Sequence, residues 1–241
     1  MKTRGMTNRR RIAALDFDSF FVNRNSRYRG GNHFDKVRLK KVEIILGPTG
    51  VGKTEFAIKK ALEYGSPVIS CDSRQIFKEM TIGTAVPDAS QLAAVKHYFI
   101  HSNSVGEDYT AGRYEIEAHR LVKELFEMGH ERLVMCGGSG FYIDAFVNGL
   151  DDFPPADQKL RAELTARLRE EGVGALAGEL RALDPESCEV IDLSNSQRVL
   201  RALEVCLMTG RKFSSFKTSP RRSHDFEIEK IGLMRSKEEL Y

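Results

Sequence analysis

With 241 residues, 41% hydrophobic and 29% charged, the sequence has a globular balance, which excludes a mostly disordered chain, a collagen and a coiled-coil rod. No apolar run approaches the roughly 18 to 20 residues of a membrane-spanning helix, and no membrane role is expected. The net charge of +3 hides an asymmetry: residues 1–40 hold eleven Lys/Arg against three Asp/Glu (+8), and the remainder holds 26 against 31 (−5).

Residues 1–40 show no regular periodicity beyond the short apolar patches Ile12–Leu15 and Phe20–Val22. They read as a basic, disordered N-terminal extension; the same Arg-rich composition also fits a transit peptide or attraction to RNA. Val42 to Leu46 is an apolar run suited to a buried parallel strand, and Thr54 to Tyr64 carries helical spacing. Pro67 to Cys71 is a second short strand closed by Asp72. Thr110 caps a long helix with apolar residues at Tyr114, Ala118, Leu121, Val122 and Leu125, stopped by Gly129. Arg132 to Cys136 is the next strand. From Asp151 the texture changes, because Ala156–Glu171, Val173–Leu183 and Ser196–Met208 are all helical with no intervening strand. Phe226 to Leu233 returns as a strand, and Ser236 opens a new helix. The expected fold is α/β, a P-loop-type, mostly parallel sheet with helices on both faces and a helical insertion. Its divisions are the extension 1–40, a core 41–150, the insertion 151–212 and a return to the core over 213–241.

Gly47-Pro48-Thr49-Gly50-Val51-Gly52-Lys53-Thr54 is the GxxxxGK[ST] phosphate loop, placed between a strand and a helix as it must be. Its backbone N–H groups and the helix N-terminus favour phosphate oxygens, Lys53 adds a point charge, and the Thr54 hydroxyl suits Mg²⁺. A hydrolase of this type places an acid at the end of a nearby strand. Arg132–Cys136 instead runs into Gly137-Gly138-Ser139-Gly140, so Asp72 is the one strand-end acid near the loop. Two readings of Asp72 stay open, a general base or Mg²⁺ partner, and a cap for a helix over Ser73 to Phe77.

Four ordered motifs then carry a resemblance. The phosphate loop, the run Asp72-Ser73-Arg74-Gln75 continuing to Pro87, Gly137-Gly138-Ser139-Gly140-Phe141-Tyr142, and Gln197-Arg198-Val199-Leu200-Arg201 continuing to Val205 closely resemble the tRNA dimethylallyltransferase family. The resemblance implies a phosphate-loop enzyme that binds dimethylallyl diphosphate with Mg²⁺ at Thr54. It implies transfer of the prenyl group to the exocyclic amine of the adenosine 3′ of the anticodon. Asp72, Lys53 and Ser139 are implied as catalytic, with Ser139 standing where the family usually has Thr. Contacts to the tRNA anticodon stem-loop are implied for Asp72, Ser73, Arg74, Gln75, Ser139, Arg161, Gln197, Arg198, Val199, Leu200 and Arg201. On the last helix Gln197, Arg198 and Arg201 lie opposite Leu200, Leu203 and Leu207, one face polar and one inward, and a merely solvated polar face is the competing reading.

Family members continue well beyond Leu240-Tyr241, so the chain reads as shortened at that end. A P-loop small-molecule or nucleotide kinase, and a tRNA-binding remnant without turnover, are the alternatives. A cytoplasmic monomer is expected, with Cys71, Cys136, Cys188 and Cys206 as reduced thiols because they fall singly. None of the six histidines has metal-ligand spacing, and none is given a role. Arg211-Lys212, Lys217 and Arg221-Arg222 read either as a solvated loop or as a phosphate-backbone contact.

Overall fold

The computed structural model describes residues 40–218 and 222–236, and the backbone of 21–25. Six strands form one sheet in the order β1-β6-β2-β5-β3-β4: β1 Phe21–Asn25, β2 Lys41–Leu46, β3 Val68–Ser70, β4 His97–Tyr98, β5 Arg132–Cys136 and β6 Glu227–Met234. All neighbours pair in parallel except β1, which lies antiparallel on β6 from Phe21↔Met234 to Asn25↔Lys230. The expectation of an irregular 1–40 extension therefore fails at residues 21–25, where an edge pairing too short to leave a pattern was available; residues 1–20 and 26–39 lie outside the described residues.

The central strands are buried on both faces, as parallel strands between helices must be. Ile45, Val134, Ile231 and Leu233 pack with Ala57 and Ala61 of α1 (Lys53–Tyr64). The alternate residues Ile44, Leu133 and Met135 are equally buried on the other side, where Tyr114 of α3 (Ala111–Glu127) sets its hydroxyl 3.8 Å from the Met135 sulfur and donates to the Ser70 carbonyl at 3.0 Å. Helix α3 starts as its sequence dictates, the Thr110 hydroxyl accepting from the Arg113 N–H at 3.1 Å. Glu43 breaks the apolar run of β2 and is buried; Tyr64 (3.0 Å) and the guanidinium of Arg132 satisfy its carboxylate. The short helices α2 (Ala89–Ala94) and α4 (Gly140–Asn148) carry no periodicity long enough to be seen in the sequence.

Contacts divide the chain into two compact units, Met1–Ile143 with His224–Tyr241, and Asp144–Ser223. The second is helical: α5 (Gln158–Leu183), α6 (Pro185–Val190) and α7 (Ser196–Thr209) enclose Leu164, Leu176, Leu180, Val199, Leu200 and Leu203. Gly172, at φ 80° and ψ 167°, interrupts α5 between the two helices expected from sequence. This unit is longer than the expected 151–212 insertion. The described residues from Phe213 to Thr218 belong to it rather than to the core, because Phe213 stacks on Phe153 at 4.7 Å between ring centres and Ser214 bonds twice to buried Asp184 (2.7 and 2.9 Å). Among the described residues no helix is long and apolar enough to cross a membrane.

Candidate functional site

Ligands of open parallel sheets sit outside the carboxyl ends of the strands, near the point where the strand order reverses. Here the ends of β2, β3, β5 and β6 deliver the phosphate loop, Asp72, Gly137 and Arg235 to one cavity of about 410 Å³. Two glycines make that convergence possible. A Cβ on Gly137 would stand 2.5 Å from the Cys71 carbonyl carbon, and one on Gly47, at φ 153°, would stand within 2.4 Å of the Leu233 carbonyl oxygen. Neither neighbour is a side chain that could swing away.

Within the loop, Thr49, Gly50, Gly52, Lys53 and Thr54 line the cavity, while Val51 turns fully inward and joins the sheet packing, so its side chain anchors the loop rather than meeting a ligand. The Lys53 ammonium donates to the Pro48 carbonyl at 2.7 Å, holding its charge over the loop it closes. Beneath it Cys136, whose thiol lies 3.6 Å from the Lys53 carbonyl, is pushed up to about 12 by burial, and burial also raises Cys71 well above the thiol range. Both thiols are protonated packing groups at neutral pH, as expected of unpaired cysteines.

Asp72 lines the same cavity. One carboxylate oxygen accepts from the backbone N–H of Arg74 (2.9 Å) and Gln75 (3.3 Å); the other has no hydrogen-bond partner among the described residues. Residues 73–76 form turns and not a helix, so the helix-cap reading of Asp72 reduces to an Asx turn that occupies half of the carboxylate. Ser139 locks this turn from the next strand end: its hydroxyl accepts from the Ser73 N–H at 2.8 Å and bonds the Ser73 hydroxyl at 2.9 Å.

Gln75 is spent on scaffolding. Its amide nitrogen donates to the carbonyls of Thr84 (3.1 Å) and Ala85 (2.9 Å), and its oxygen accepts from Ser70 (3.2 Å). It thereby secures Thr84 to Pro87 as a wall of the cavity, including Ala85 in the left-handed region at φ 52°. The side chain expected to contact RNA thus has both its amide nitrogen and its oxygen engaged within the protein. Arg74, by contrast, is exposed, with no side-chain partner among the described residues.

The sequence reading overlooked His97, Gln91 and Arg235, all of which line the cavity. His97, which has no ligand spacing in the sequence, arrives through β4, a two-residue strand too short to predict, and bonds the Val95 carbonyl through Nδ1 at 2.8 Å. Burial lowers its pKa below the usual imidazole value. A cation one residue past a strand that ends beside the loop was the available signal for Arg235.

In the helical unit the expected contact residues separate. Gln197 and Arg198 are exposed at the start of α7, while Val199 and Leu200 are buried in its core and have no side-chain surface to offer. Leu207, expected to face inward, is 41% exposed instead. Arg201 and Arg161 both turn to the buried Glu204 carboxylate, at 2.8 and 2.6 Å. The basic stretch beyond α7 is partly tied down too, Lys212 by Glu186 at 2.8 Å and Arg211 by the Phe216 ring at 4.4 Å; Arg221 lies outside the described residues.

The sequence model of the family described as IPP transferase matches residues 75–241. A tRNA dimethylallyltransferase of Porphyromonas gingivalis is 47% identical over 197 residues, covering 82% of this chain and 65% of its own length. One of Bacteroides thetaiotaomicron is 43% identical over 198 residues, covering 82% and 64%. The chain thus spans just under two thirds of the length of the curated relatives it matches. Among solved structures, a eukaryotic dimethylallyltransferase captured acting on tRNA is 26% identical with a TM-score of 0.63, over 78% of this chain and 47% of that one.

Proposed function

Since the chain belongs to the IPP transferase family, we propose that it carries the donor and acceptor sites of a tRNA dimethylallyltransferase acting in the cytoplasm. One observation carries the reading: a phosphate loop with Lys53 and a strand-end carboxylate with an unspent oxygen, Asp72, line a single cavity. The loop amides and Lys53 hold the diphosphate of dimethylallyl diphosphate. The exocyclic N6 of the adenosine beside the anticodon attacks the allylic C1, the C1–O bond breaks, and the diphosphate leaves with the bonding pair. Positive charge fixed in advance at Lys53 stabilises that departing anion. Asp72 accepts a hydrogen bond from N6, an amine too weakly nucleophilic to attack unaided, and takes its proton as the N–C bond forms.

Mg²⁺ fits the residues present. Half-buried Thr54 lines the cavity at the start of α1, where its hydroxyl would hold the ion together with the ligand's own phosphate oxygens. When bound, it supplies further charge neutralisation at the diphosphate. An unstacked loop base suits the acceptor, because extruding it costs less than opening a duplex. Arg74, Gln197 and Arg198 supply exposed donors for the RNA.

Calorimetric titration with dimethylallyl diphosphate and Mg²⁺ tests the donor half. Binding that Lys53→Ala weakens by about tenfold or more is expected, a charge-assisted contact being lost. Equal or tighter binding of ATP, with tRNA-independent hydrolysis, would favour the kinase reading instead.

A further inference from the structure

Helix α7 buries a carboxylate completely. Glu204 has no exposed surface, and its oxygens accept from Arg161 Nη2 (2.6 Å), Arg201 Nη1 (2.8 Å) and the Asp157 N–H (3.1 Å). Burying such a group is costly, and hydrophobic packing of the same volume commonly does as well for stability. Its arrangement is also lopsided, with two guanidinium groups sharing one negative charge.

The arginines are not fully consumed by it. Arg201 reaches from Glu204 to the Pro154 carbonyl at 2.6 Å, which fixes its plane between α7 and the segment entering α5. Arg161, one turn into α5, is 40% exposed and gives only Nη2 to protein, while its buried Nε has no partner among the described residues. A planar guanidinium held at Nη2 and still 40% exposed keeps its Nη1 donors for a second anion, in an orientation that a lysine cannot reproduce.

We propose that Glu204 is a positioning residue for RNA: from the helical core it orients Arg161 and Arg201 so that their remaining donors meet the phosphate backbone. The inference rests on the proposed tRNA-modifying function and adds to it a residue that never touches the RNA. Its electrostatic signature has an unusual sign. Glu204→Gln makes the unit more positive by one charge, so bulk electrostatics alone would tighten RNA binding and steepen its salt dependence. Loss of orientation acts the other way.

The experiment measures affinity of the full chain for an unmodified tRNA anticodon stem-loop at several salt concentrations, with dimethylallyl diphosphate titration and thermal unfolding alongside. The wild type is measured first; failure to bind the stem-loop better than a scrambled hairpin overturns the functional reading and this inference together. With wild-type binding in hand, Glu204→Gln should lower RNA affinity about tenfold, the scale of one charge-assisted contact, flatten the salt slope and leave donor binding unchanged. Unchanged or tighter RNA binding by this variant overturns the inference alone. If Glu204→Gln does not unfold cooperatively, Arg161→Lys decides: it keeps the charge and loses the planar guanidinium that Glu204 orients, and an affinity within twofold of wild type overturns the proposal.

Discussion

Asp72 shows how one carboxylate divides its work. Its Oδ1 builds the turn that presents Ser73 and Arg74, and its other oxygen has no hydrogen-bond partner among the described residues, as the proposed base requires. Asp72→Asn retains an oxygen for the Arg74 and Gln75 amides, so the turn should persist, tRNA affinity should stay within about twofold, and turnover should fall by about 10²-fold or more, the usual worth of a general base. Steady-state kinetics beside a binding measurement separates the two; near-normal turnover would return Asp72 to a structural role. His97 makes a second prediction at this scale. Its pKa is lowered by burial, so on acidification the unfolded chain takes up this proton before the folded one does. Stability from this group is therefore complete above the ordinary imidazole pKa of about 6.5 and is lost as pH falls below it. Urea midpoints of wild type and His97→Gln should run in parallel above pH 7 and converge or cross below pH 6; a constant offset across that range would contradict it.

At the scale of elements, helix α7 combines two tasks on one turn. Asn195 caps it through the Arg198 N–H at 3.2 Å, exposing Gln197 and Arg198, while Val199, Leu200 and Leu203 hold it to α5. Because Arg201 belongs to the Glu204 cluster, only Arg198 tests the exposed face cleanly. Arg198→Ala should leave the unfolding midpoint nearly unchanged and lower the slope of log RNA affinity against log salt by up to about 1. Deletion of residues 1–20, which removes five Lys/Arg against two Asp/Glu and leaves β1 in place, is the necessary control. Retained affinity and slope in that background would make this a solvated face.

Whole-molecule reading from sequence succeeded where patterns were long. The α3 stripe from Tyr114 to Leu125, the β2 run and the Gly172 break in α5 each declare themselves through period or punctuation. Pieces of two to six residues, such as β4 and α2, carry no period and were missed, and with β4 went His97. The motifs located the phosphate loop, Asp72 and Ser139 by position but not by partner. That Ser139 joins Ser73, and that Gln75 braces Thr84 and Ala85, depends on strand ends 66 residues apart in sequence or on a loop folded back, which no local pattern encodes. A run such as Gln197 to Arg201 likewise mixes buried and exposed residues, so a motif copied whole assigns Val199 and Leu200 a surface they lack.

These scales meet in the claim that one cavity brings a prenyl diphosphate on the phosphate loop to an RNA adenine beside Asp72. Incubation of the purified chain with prenyl-labelled dimethylallyl diphosphate, Mg²⁺ and unmodified tRNA, followed by digestion to nucleosides, tests it most directly. Label in N6-prenylated adenosine is expected, dependent on tRNA and abolished by Lys53→Ala. Label that never reaches adenosine, alongside ATP turnover indifferent to tRNA, would contradict it.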